Sequence, residues 1–185
     1  MKGKIFNAQE VQAIIAGNKT MFREVIKPQP SRRECPYQVG QKIFCKESWK
    51  VIQFEGYRGL EFPNICYEST SSTRLFINKI VWDYLEPNDT SLKWRSAKSM
   101  PEWASRLTLE ITVVKVERLQ SVSQKDCAKE GIKHTMWQAN GRLFSAQGEP
   151  IEIGFARNWN ATHKKPEEKF GANPFVWVVD FKINK

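Results

Sequence analysis

Three cations near the start of the chain, Lys19, Arg23 and Lys27, recur every four positions, and Thr20 stands beside the first of them. Two kinds of chemistry suit that set. Ammonium and guanidinium groups at a fixed spacing can meet the phosphates of a polyanion, whereas a lysine of lowered pKa beside a hydroxyl pairs a base with a nucleophile, as acyl transfer requires. A solvated basic connection uses the same residue types. Farther along, Glu47 falls in a row in which Ile43, Cys45 and Trp49 share one side of an alternating pattern. A carboxylate in such a row needs a cation or hydrogen-bond donors. Glu47 is therefore expected to meet Lys or Arg and to be drawn towards the basic segment, either as an ion pair that fixes it or as a group that touches a ligand.

The elements that must position these residues can be read from the pattern. Asn7 and Glu10 have capping-box spacing, and Val11, Ile14 and Ile15 give one apolar face before Gly17, so a short helix feeds the basic segment. Pro28 and Pro30 keep that segment from continuing as a helix, and residues 17–30 are expected to form a loop. Lys42 to Val51 reads as one strand, and Ile65 to Tyr67 and Arg74 to Trp82 as two more. Leu107 to Val113 alternates cleanly, then its apolar phase slips to Val114 and Val116, as at a bulge in a curved sheet. Ser123 to Asp126 opens a second helix that stops at Gly131, and residues 132–149 lack periodicity and are expected to be loop. Ile151, Phe155 and Trp159 predict a third helix packed on the sheet, and Phe175 to Ile183, apolar on both faces, a central strand.

Composition supports a packed globular protein. Hydrophobic residues make up 41% of 185, with seven Trp and eleven Phe, enough for a core in one domain spanning 1–185 with insertions at about 52–98 and 132–172. The net charge is +9, and residues 1–60 hold 11 basic against 5 acidic side chains, an asymmetry that suits an anionic partner. Cys35, Cys45, Cys66 and Cys127 never fall at metal-ligand spacing, and His134 and His163 are the two histidines. No metal or cofactor is expected. The longest apolar run, Phe175 to Val179, is too short for a bilayer, and no signal-peptide core follows Met1. A cytoplasmic setting with free thiols and no membrane contact is the expectation.

The motifs, taken in order, are Gly17-x-Lys19-Thr20, Gly40-x-x-Ile43-x-x-x-Glu47-x-Trp49, Met100-Pro-x-Trp103-Ala-Ser-Arg106, a long strand, a short helix ended by Gly131, and a terminal strand with Trp177-Val178. This series resembles the ASCH-domain proteins of tailed phages and prophages. It covers residues 17–30, 40–49, 100–131 and 173–182. The resemblance implies an α+β fold, a PUA-like curved β-barrel with short helices at its rim, and a cleft beside the Gly17–Lys19 loop for RNA or a nucleotide-like ligand. Distant relatives of the family are amidohydrolases that deacetylate N4-acetylcytidine with a lysine and a threonine of this loop and a distant glutamate. Lys19 matches that lysine, but Phe22 stands where the threonine would be and Glu24 where an arginine would be. Two further departures are Ser99 in place of a usual histidine and Asn160 in place of a usual acid.

Two functions of different class follow. In the first, the chain binds RNA or another nucleic acid: Lys19, Arg23, Lys27, Arg32 and Arg33 meet phosphates, and Trp49, Trp94 or Trp103 offers a ring to a base. Thr20, Glu47 and Arg106 complete that candidate interface. In the second, the chain is a hydrolase of a modified nucleoside or of RNA, with Lys19, Thr20 and Glu47 as base, nucleophile and orienting carboxylate. A phage accessory or interaction protein without a working cleft is the third reading.

Overall fold

The structure is a computed structural model that describes residues 1–27, 34–55, 61–69, 73–75, 93–132, 134–139, 142–145 and 148–184. Arg32, Arg33 and most of the strand expected at 74–82 lie outside the described residues. In chain order the elements are β1 (Lys2–Ile5), α1 (Ala8–Ile15), β2 (Met21–Val25), β3 (Lys42–Lys46), β4 (Trp49–Glu55), β5 (Glu61–Tyr67), β6 (Thr73–Leu75), β7 (Thr108–Arg118), α2 (Gln124–Lys129), β8 (His134–Ala139), β9 (Arg142–Ser145), α3 (Ile151–Thr162) and β10 (Phe175–Asn184). These are the strands and short helices of an α+β fold. They fall into two compact units, one from 1–12 and 43–108, the other from 13–42 and 109–184.

In the first unit β1 runs parallel to β3, with Lys2 opposite Ile43 and Ile5 opposite Lys46. The strand expected over 42–51 is in fact two. It breaks at Glu47 and Ser48, after which β4 pairs antiparallel with β5 rather than continuing beside β1. The physical reason lies at the break, where the Glu47 carboxylate is taken up by Arg106 Nε at 2.9 Å and the chain changes partners. β6 extends the second sheet, in the order β4-β5-β6. Trp49, Val51, Ile65, Tyr67, Met100 and Ala104 form the unit's core, with Trp103 packed against it. The Trp49 and Trp103 rings meet edge to face with centroids 6.0 Å apart, and the Tyr67 hydroxyl donates to the Ala104 carbonyl at 2.9 Å.

In the second unit the segment expected to be a loop is largely a strand. β2 pairs antiparallel with β10, Arg23 opposite Val178 and Phe22 opposite Val179, and β7 lies on the other side of β10. The prolines exclude a helix but stand beyond Val25, so nothing in residues 21–25 opposes extension. Alternation along β2 sends Met21 and Val25 into a core with Leu119, Cys127, Ile151, Phe155, Trp159, Val176 and Val178. Phe22 points the other way, against Tyr37 at 5.3 Å and Phe181 at 6.0 Å.

The helix starts and stops follow the local signals. Asn7 and Glu10 make both bonds of their capping box, at 3.0 and 2.9 Å, and Ser123 with Asp126 makes both of the second. Gly17 and Gly131 adopt φ of 74° and 79°, the left-handed backbone at which glycine ends a helix without strain. Ile151, Phe155 and Trp159 are buried along α3, as their spacing predicts.

One expectation fails. Residues 134–139 and 142–145, expected to be loop, form the antiparallel pair β8–β9, with a register shift between Thr135 and Gln138; its ladder is made of backbone bonds, which need no alternation of side chains to form. On β7, Leu109 and Ile111 are buried, but Val113 and Val116 are 43% and 49% exposed. Val114 between them is half-buried, so burial along β7 fades after Ile111. Within neither unit do the described pairings return on themselves to close a ring.

Candidate nucleic-acid interface

The four-residue spacing of Lys19 and Arg23 finds its meaning in extended backbone, where residues four apart share a side. Both turn towards α2 and its C-terminal end. Lys19 Nζ donates to the carboxylate and the carbonyl of Glu130, each at 3.0 Å, and Arg23 donates to Glu130 at 2.9 Å and to Asp126 at 3.1 Å. Glu117 approaches the same guanidinium at 3.7 Å, and the Phe155 ring lies 5.6 Å beneath it. Gly131 makes room for this: a Cβ there would stand 3.1 Å from Lys19 Cβ. Lys19 and Arg23 are thus buried and matched by carboxylates. Burial would push the Asp126 carboxyl up, but donors from Ser123 and the charge of Arg23 outweigh it and hold the pKa below the usual aspartate value. Thr20 is held by its backbone, its N–H donating to Lys129 and its carbonyl accepting from Phe181. Lys27 is exposed and pairs with Glu168 at 2.6 Å.

Glu47 sits in the other unit with its own cation. Its carboxylate is 2% exposed and accepts from Arg106 Nε at 2.9 Å, Arg106 Nη2 at 3.0 Å and the Ser69 hydroxyl at 2.6 Å. The guanidinium lies 4.3 Å over the Tyr67 ring, and the same region pushes the Cys45 thiol up to about 12, by burial first and then by the Glu47 charge. The demand for a cation is met, but by an arginine of the Met100–Arg106 motif rather than of the 17–30 segment. Lys19 and Glu47, expected together in a hydrolytic site, belong to different units, each with its charge matched at hand.

Of the tryptophans considered for stacking, Trp49 is buried and Trp103 packs against the core, whereas Trp94 is 49% exposed. Its placement follows from a short antiparallel contact in which Trp49 and Arg95 exchange backbone bonds of 3.2 and 2.7 Å. That register sets Lys50 against Trp94, with the ammonium 4.9 Å from the ring centroid. One turn along, Lys46 Nζ donates to the Lys98 carbonyl at 2.7 Å. Lys93, Trp94 and Lys98 are exposed, and residues 93–99 contain no acid. Among the described residues, none of Lys46, Lys50, Lys93 and Lys98 is paired with a carboxylate.

Sequence reasoning missed Glu130, Asp126 and Ser69 as the partners of the residues it singled out. Asp126 and Glu130 do share the four-residue spacing of Lys19 and Arg23, a signal visible in the chain once both segments are suspected to face each other. The lysines around Trp94 come from two separate segments, 46–50 and 93–98, and gave no motif.

No family model and no curated protein matches the chain. Among solved structures it is similar to protein EF3133 (DUF984) from Enterococcus faecalis, at 10% identity and a TM-score of 0.46 over 99% of this chain and 80% of that one. It is also similar to an ASCH domain from Lactobacillus crispatus, at 14% identity and a TM-score of 0.42 over 98% and 78%. Both are loose likenesses of chain path. No helix among the described residues is long and apolar enough to cross a membrane.

Proposed function

We propose that this chain binds nucleic acid, RNA or a nucleotide-like ligand, through cations that its fold leaves at the surface. The observation that carries the reading is the acid-free stretch Lys93 to Ser99 brought beside Lys46 and Lys50. Lys19, Arg23 and Arg106 spend their charge on Glu130, Asp126 and Glu47. Each such pair cancels, so the net +9 is carried by the remaining side chains. Lysines not matched by carboxylates raise the local concentration of a polyanion and release its counterions on contact. The motif series supports reading the chain as an ASCH-like protein of phage or prophage type working in the cytoplasm, and a PUA-like barrel belongs to that reading. In it, Lys19 and Arg23 hold the fold of their own unit, while exposed lysines of the other unit meet the phosphates.

The test is binding of a fluorescent single-stranded RNA followed by anisotropy across salt concentrations. Four phosphate contacts at about 0.7 each predict a log–log slope near 2.8, so affinity should fall about fifty-fold between 50 and 200 mM salt. Absence of binding at the lower salt overturns the proposal.

A further inference from the structure

We infer that Trp94 is a stacking platform for an unpaired base, and hence that the preferred ligand is a single strand; this rests on the nucleic-acid reading above and narrows it. Large aromatic side chains normally contribute their area to a core. Here Trp49, of the same residue type and bonded through its backbone to the neighbour of Trp94, is fully buried, while Trp94 keeps 49% of its surface in solvent. The Lys50 ammonium stands over the ring, 4.9 Å from its centroid, which orients the indole through attraction to its negative face, so that a base would stack on the opposite face with a positive charge across the ring. Lys93 flanks it in the chain, and the Lys46 ammonium donates to the backbone carbonyl of Lys98, four residues on. A ring bordered by ammonium groups offers a base its π-face and the adjoining phosphates their counter-charge. A duplex could use the lysines but not the ring, since its bases are stacked on one another and its edges, not faces, are presented.

The experiment compares the unaltered protein with Trp94→Ala and Trp94→Phe on three labelled probes: a twelve-nucleotide oligouridine, an oligothymidine of the same length, and an RNA hairpin with a fully paired stem closed by a non-nucleotide linker. Circular dichroism confirms that the variants are folded, as the exposure of Trp94 leads one to expect. Trp94→Ala should weaken single-strand binding by roughly 5- to 140-fold, the range for loss of one stacked base, and Trp94→Phe should restore most of it. Hairpin binding should change by less than about two-fold, because only the lysine contacts remain in use. The tighter of the two single strands identifies RNA or DNA as the source of the base. Salt-dependent single-strand binding that is unchanged in Trp94→Ala overturns this inference and leaves the nucleic-acid reading standing. A hairpin weakened as much as the single strands also overturns it. No binding of any probe by the unaltered protein removes both.

Discussion

Arg106→Ala is expected to be among the most damaging single substitutions in the first unit, and its size can be worked from the pair it breaks. Glu47 is 2% exposed and receives two hydrogen bonds from the guanidinium, at 2.9 and 3.0 Å. Without Arg106 the carboxylate keeps the Ser69 hydroxyl at 2.6 Å and no cation among its bonded partners. Removing one member of a buried pair costs about 3–5 kcal/mol, because the remaining charge stays desolvated. The guanidinium side chain is 14% exposed, so water can enter the space it vacates, which moves the expectation towards the lower end, about 3 kcal/mol. Loss of the contact with the Tyr67 ring, 4.3 Å from the guanidinium, adds about 0.5–2 kcal/mol. Against a total stability of about 5–15 kcal/mol this is a large fraction. With a urea dependence of about 2 kcal/mol per molar, the unfolding midpoint should fall by about 1.5–2.5 M. The decisive control is the double variant Glu47→Leu with Arg106→Met, in which no charge is stranded; it should recover most of the loss. A midpoint shift below about 0.5 M for Arg106→Ala, or a double variant as unstable as the single one, refutes the reasoning.

Three further outcomes are expected. The Asp126 carboxyl titrates below the usual aspartate value in the folded protein, so its contribution is complete above the unfolded value of about 3.9 and is lost as pH falls through the folded one; Asp126→Asn should flatten the decline of stability in acid, and an unchanged acid limb in urea melts counts against the Arg23 network. Burial raises the Cys45 and Cys127 thiols to about 12, and Cys66 is buried as well, so a thiol reagent at pH 8 should label the native protein at the half-buried Cys35 and reach the other three only on unfolding; rapid native labelling of all four contradicts the packing described. The chain should not deacetylate N4-acetylcytidine, because Phe22, which the family resemblance would set in the nucleophile's place, carries no hydroxyl and is packed between Tyr37 and Phe181, and Lys19 is bonded to Glu130; cytidine release that disappears in Lys19→Ala would overturn this.

What short range controls was legible in the order of residues alone. The capping boxes at Asn7 and Ser123, the glycine stops at Gly17 and Gly131, and the buried stripe of the helix at 151–162 all rest on bonds or contacts within a few residues, and their side-chain spacing encodes them directly. That order also showed that Glu47 would need a cation, since desolvation penalises a lone carboxylate whatever the fold. Which cation answers was decided only by tertiary structure: Arg106 is 59 residues away, and the sequence offered the nearer arginines of the basic segment equally well. The same holds for Lys19 and Arg23, whose spacing is shared by a phosphate-binding loop and by one side of an extended strand. Pairing of residues 21–25 with the final strand chose the second and turned both cations towards Asp126 and Glu130. Trp94 and Trp49 are the same residue type, yet one is exposed and the other buried. That difference follows from alternation across a two-residue antiparallel contact, and such a contact forms between segments whose meeting no local pattern encodes.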